Sequence, residues 1–163
     1  MFVDRGKPPA QELLESLRQK KLHIATAESC TGGMISTTLT SIAGSSDVVN
    51  GGIVSYTNKV KHDVLGVKTE TLENFTAVSE ECTREMAEGA AKLLCAETAI
   101  SISGIAGPTG GTENQPVGTV CFGFYVQGVI SSTTKHFSGD RQEVRCKATI
   151  FAIQNLLEKI KFL

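Results

Sequence analysis

The chain has 163 residues, with 16 Lys and Arg against 17 Asp and Glu and a formal net charge of −1. That length suits one domain with one core, and the even charge balance leaves no broad basic field to capture nucleic acid or an anionic membrane. No apolar run reaches bilayer-spanning length, and the N-terminal run "MFVDRGKPPAQELLESLRQ" lacks the apolar stretch and small-residue cleavage site of a secretory leader, so a cytoplasmic protein is expected.

In chain order, Pro8 and Pro9 precede "AQELLESLRQKK", where Leu13, Leu14 and Leu17 recur at helical spacing and basic residues close the last turn. "LHIATAES" reads as a short strand, and "GGMISTTLTSIAG" as a helix ended by Gly44. "GGIVSYT" predicts a second strand, followed by a short helix in "NKVKHDVLGV" closed by Gly66. A longer helix spans "SEECTREMAEGAAKLLCAE", with Ser79 as its N-cap. "TAISISG" is the third strand. After the loop "GIAGPTGGTENQPVGT" come two β-rich runs, "TVCFGFYV" and "VISSTTKHF", joined by a tight "QG" turn. Asp140 then caps a final helix from Arg141 to about Ile160, with Val144, Ala148, Phe151, Ile153 and Leu157 near one face. Helices alternating with strands, followed by an antiparallel pair, predict a three-layer α/β/α sandwich with a mixed central sheet.

Five cysteines, Cys30, Cys82, Cys95, Cys121 and Cys146, include no CxxC pair and no histidines at zinc spacing, so reduced core thiols are expected. Three segments that follow predicted strands, "ESCTGG", "SYTNKVK" and "SGIAGPTGG", should meet at the carboxyl ends of the strands, where ligands of open α/β sheets settle. The first opens a helix at Thr31 to Gly33, whose N–H groups and positive dipole end suit a phosphate or a developing oxyanion; a plain helix cap is the bland alternative. The third carries Gly104, Gly107, Gly110 and Gly111, in neither a dinucleotide nor a P-loop pattern. Its backbone can approach a ligand closely, or it can be no more than a surface connection.

Ser29, Cys30 and Thr31 compete as the attacking group, and no GxSxG elbow is present. His23, His62 and His136 form no triad signature, although His62 sits beside Lys61. A serine can instead be activated by a lysine whose pKa is lowered by burial, and "SYTNKVK" offers Tyr56, Lys59 and Lys61. A thiolate at Cys30, acidified by a helix N-terminus, is the rival nucleophile.

The motifs "TAESCTGG", "GGIVSYTNKVKHDVLGV", "AVSEE", "SISGIAGPTGG", "PVGTV" and "FSGDR", in this order from about Leu13 to Leu157, resemble the C-terminal domain of the competence-damage-inducible CinA proteins. That family includes stand-alone nicotinamide mononucleotide deamidases. Longer members carry a further molybdopterin-binding-like domain, whose activities are not carried over to these residues. The resemblance implies hydrolysis of the carboxamide of nicotinamide mononucleotide to nicotinic acid mononucleotide and ammonia, in pyridine nucleotide recycling, by a Ser–Lys arrangement without metal or cofactor. It places the nucleophile at Ser29, the general base at Lys61 rather than Lys59, and a supporting tyrosine at Tyr56, which would relay the proton or hold Lys61. An arginine of the last helix is also implied, best matched by Arg145, with Arg141 as the second candidate. On this basis the N–H groups around Thr31, Gly32 and Gly33 are expected to hold the oxyanion, and the Gly104 to Gly111 loop with Arg145 the phosphate, although the two segments could exchange roles. A homodimer is the expected assembly. A non-catalytic nucleotide-binding or regulatory module of the same fold is the alternative.

Overall fold

A computed structural model describes residues 7–163; residues 1–6, the start of the run read for a leader, lie outside the described residues. Five strands form one sheet: β1 (Ile24–Glu28), β2 (Val49–Val54), β3 (Thr98–Gly104), β4 (Thr119–Val126) and β5 (Val129–His136), in the order β2-β1-β3-β4-β5. β1 pairs in parallel with β2 and β3, whereas β4 is antiparallel to both β3 and β5. The sheet is therefore mixed, as expected. Its parallel part brings the carboxyl ends of β1, β2 and β3 to one edge, because Glu28 lies opposite both Val54 and Ile102.

Six helices cover the sheet: α1 (Pro9–Lys20), α2 (Met34–Thr40), α3 (Asn58–Leu65), α4 (Thr69–Phe75), α5 (Glu80–Leu93) and α6 (Arg141–Lys161). On one face, α1, α2 and α6 bury Leu13, Leu14, Leu17, Ile35, Val144 and Leu156 against Ile100, Ile102, Phe122 and Phe124. On the other, α5 and α3 lay Leu65, Cys82, Met86, Ala87 and Ala90 over Ala25, Ala27 and Ala99. Strand alternation sorts these sets, since successive side chains of β1 and β3 point to opposite faces.

Two helices depart from the sequence reading. α2 starts at Met34, not at the glycine pair, because Gly32 and Gly33 both hold φ > 0 (60° and 103°) and so belong to the preceding turn. α4 gave no apolar stripe to read: only Thr71 of it is buried, and it is tied down by Glu85, which accepts from the Thr71 hydroxyl at 2.8 Å and from the Lys68 N–H at 2.8 Å. The final helix follows its predicted start closely, with Asp140 and Glu143 forming a complete capping box.

Candidate active site

The turn that follows β1 carries Ser29. Its backbone N–H donates to the Ile102 carbonyl at 3.0 Å and its own carbonyl accepts from the Gly32 N–H at 3.0 Å, which fixes the serine at the end of β1 beside β3. Lys61 reaches it from α3. Thr57 caps that helix through its hydroxyl, and Lys61 and Leu65, one turn apart, form its buried face. Lys59, two residues earlier and so roughly 200° round the helix, points outward to pair with Asp63. The Lys61 amine donates to Ser29 Oγ at 3.1 Å and to the Ser55 carbonyl at 2.8 Å. Only 1 % of Lys61 is exposed, and this desolvation holds its pKa below the ordinary lysine value. A lysine in that state supplies a neutral amine, able to take a proton, at lower pH than a surface lysine would.

Ser29 and Lys61 open onto a pocket of about 230 Å³ whose wall also includes Cys30, Tyr56, Asn58, Ser103, Gly104 and Arg141. Gly104 lies in that wall, and β4 leaves it no room for a side chain, since a Cβ there would lie 2.9 Å from the Thr119 carbonyl oxygen. Tyr56 is 59 % exposed at the rim, and its hydroxyl accepts from Arg141 at 3.3 Å. Its expected contact with Lys61 is replaced by that of the Ser55 carbonyl, which sequence reasoning passed over because a main-chain acceptor leaves no signature in residue type.

The two arginine candidates separate. Arg141 lines the pocket and is anchored by the Gly107 carbonyl at 2.9 Å. Arg145, one turn later, instead braces the nucleophile turn from outside, donating to the carbonyls of Cys30 and Thr31 at 3.1 Å each. Among the Gly-rich loop residues, Gly104 forms the wall and Gly107 holds Arg141, whereas Gly110 and Gly111 are exposed and stand outside this pocket.

The expectation for the N-terminus of α2 is corrected by Glu28. Its carboxylate accepts the N–H groups of Gly33, Ile35 and Ser36, while the Gly32 N–H is spent on Ser29. A buried anion thus already takes the Gly33 N–H, and of the expected set only the Thr31 N–H is left without a partner among the described residues. The same anion removes the rationale for an acidified Cys30. Burial above all, with Glu28 adding to it, pushes that thiol up to about 12. Cys30, Cys82 and Cys121 are buried free thiols, as core cysteines should be, while Cys95 is exposed. His62 turns away from the pocket and places Nδ1 2.7 Å from the Val67 carbonyl. Among the described residues, no three of His, Cys, Asp or Glu gather as metal ligands would, and no helix is long and apolar enough to cross a membrane.

A parallel sheet edge with a serine and a buried lysine in hydrogen-bond contact at a pocket defines a three-layer α/β domain built around a Ser–Lys pair. The family model of the CinA C-terminal domain matches residues 7–160, and the chain belongs to that family. It is 46% identical over 149 residues to a protein of Enterobacter agglomerans named nicotinamide-nucleotide amidohydrolase PncC, covering 91% of each. It is 50% identical over 159 residues to a putative competence-damage inducible protein of Clostridium perfringens, and 46% identical over 145 residues to a CinA-like protein of Thermotoga neapolitana. The chain spans only 39% and 35% of those two longer relatives. The crystal structure of a CinA superfamily protein from Klebsiella pneumoniae superposes with a TM-score of 0.92 at 37% identity, over 95% of this chain and 97% of that one.

Proposed function

We propose that this protein hydrolyses the carboxamide of nicotinamide mononucleotide, releasing ammonia and nicotinic acid mononucleotide. The observation that carries the reading is the 3.1 Å contact between Ser29 Oγ and a buried Lys61 amine whose pKa is lowered. The likeness to a protein named nicotinamide-nucleotide amidohydrolase, over 91% of each chain, supports the choice of substrate.

Ser29 Oγ attacks the carboxamide carbon while Lys61 takes its proton, forming a C–O bond and a tetrahedral oxyanion. With the Gly32 and Gly33 N–H groups engaged elsewhere and that of Cys30 turned to its own thiol, the Thr31 N–H has no partner among the described residues, and it is assigned to the oxyanion. Collapse breaks the C–N bond as Lys61 returns the proton to the leaving nitrogen, which departs as ammonia. Water then adds to the acyl-serine, Lys61 again accepting a proton, and the carboxylate leaves as Ser29 is reprotonated. Arg141, cationic and at the rim with Tyr56, is assigned to the nucleotide's phosphate in place of Arg145.

The test is ammonia release from nicotinamide mononucleotide by the purified protein beside Ser29→Ala, Lys61→Met and Cys30→Ala. The reading expects loss of turnover in the first two and its retention in the third. Tight nucleotide binding with no ammonia from the unmodified protein would overturn it in favour of a binding module.

A further inference from the structure

Glu28 is a fully buried carboxylate that the proposed reaction does not use. Its side chain turns under the loop instead of lining the pocket, and five donors converge on it. Oε2 accepts the Thr31 hydroxyl at 2.7 Å, the Gly33 N–H at 3.1 Å and the Ile35 N–H at 3.0 Å. Oε1 accepts the Ser36 N–H at 2.8 Å and its hydroxyl at 2.9 Å. Only an acceptor-only group fits that set, since an amide would turn two N–H bonds of its own against the same donors. The partners bracket Ser29 closely, two of them being Thr31 and Gly33 of its own turn. The main chain of Glu28 meets the other half of the pair, because its carbonyl accepts the Ser55 N–H at 2.8 Å and the Ser55 carbonyl holds the Lys61 amine.

We infer that Glu28 is a positioning residue for the nucleophile: it pins the turn of residues 29–33 to the start of α2 and thereby sets the approach of Ser29 Oγ to Lys61 and to the substrate carbon. Its catalytic half rests on the amidohydrolase reading; its structural half does not. The anion at the start of α2 is part of the protein, so the dipole of that helix is used to hold the turn and not to bind substrate. A nucleophile displaced by a fraction of an ångström leaves binding nearly intact and slows chemistry, so the signature lies in kcat and not in KM.

The experiment compares the unmodified protein with Glu28→Gln, Glu28→Asp and Ser36→Ala. Glu28→Gln is expected to lower kcat for ammonia release from nicotinamide mononucleotide by about 100-fold with little change in KM. Glu28→Asp, which keeps the charge but falls short of the donors, should recover part of that loss. An independent readout is alkylation of Cys30 by iodoacetamide, followed peptide by peptide, because Cys30 lies in the same turn and is buried. Its labelling should accelerate severalfold in Glu28→Gln while buried Cys82 and Cys121 stay protected. Ser36→Ala removes one donor and retains the carboxylate, so a smaller acceleration there reports opening of the turn and not the loss of a nearby charge; it also serves if the Glu28 variants do not fold. Unchanged Cys30 labelling, or equal acceleration at all three buried cysteines, would overturn the proposal. So would faster labelling with kcat unchanged. If the unmodified protein releases no ammonia, the amidohydrolase reading fails on its own, and the labelling still decides whether Glu28 holds the turn.

Discussion

The two faces of the sheet are built from different material. Beneath α1 and α6, Leu13, Leu14, Leu17, Ile100, Ile102, Phe122 and Phe124 bury large apolar side chains, with Phe122 packed 4.7 Å from the Phe151 ring centre. Beneath α5, alanines dominate, and glycine replaces any side chain where α5 comes closest to its neighbours: a Cβ on Gly123 of β4 would overlap the Thr83 carbonyl, and one on Gly89 would overlap that of Leu65 in α3. The first face supplies apolar area, at roughly 25 cal/mol per Å² buried. The second supplies close approach, and it is the face from which α3 delivers a charged-type side chain, Lys61, into the interior. Bulk apolar burial and close approach are thus drawn from opposite sides of one sheet, and the Ser29–Lys61 pair lies where they meet, at the end of β1.

Substitutions that break one face without the other test this division. The largest expected effect is Phe122→Ala, which should cost about 3–5 kcal/mol in urea unfolding while the folded fraction keeps its turnover. Next, Gly89→Ala should cost about 1–3 kcal/mol through overpacking, and here kcat should fall as well, because the carbonyl displaced belongs to the helix that carries Lys61. Lys61→Met should abolish turnover and yet raise the melting temperature near neutral pH. The folded state disfavours the ammonium, so it binds fewer protons than the unfolded chain between the lowered pKa and the ordinary lysine value of about 10.4. Stability of the unmodified protein therefore rises with pH across that window, and the advantage of Lys61→Met should shrink as pH approaches its upper end. The same lowered pKa predicts that kcat/KM rises with pH and levels off below the ordinary lysine range, as a pH–rate profile would show. The smallest effect is expected for Cys30→Ala: with its thiol pushed up to about 12, Cys30 carries little thiolate at neutral pH, and turnover should change little.

Much of the fold could be read from local pattern. The leucine spacing of α1, the Asp140–Glu143 box of α6 and the all-buried strand "IATAE" each carry their structure in a few neighbouring residues. α4 could not be read, since its hold comes from Glu85 on α5 and not from a stripe of its own. Ser29 and Lys61 were legible only as members of motifs that resemble a family. Composition and spacing left Lys59 beside Lys61 and Cys30 beside Ser29, and three-dimensional placement separates them: helix geometry turns Lys59 to solvent, and burial keeps the Cys30 thiol protonated.

By itself, the sequence determined what depends on near neighbours: the types of every element but α4, the caps of the longer helices, the alternation that sorts the two cores, and the concentration of reactive residues after the strands. Only the tertiary structure decided the strand order, the placement of Arg141 at the pocket and of Arg145 behind the nucleophile turn, the Ser55 carbonyl that holds Lys61, and the internal anion at the start of α2. Each of these depends on atoms far apart in the chain, or on which way a side chain turns from a shared backbone position. Such choices are settled by the packing of the whole domain, because an unpaired buried donor or charge costs more than any local preference can return.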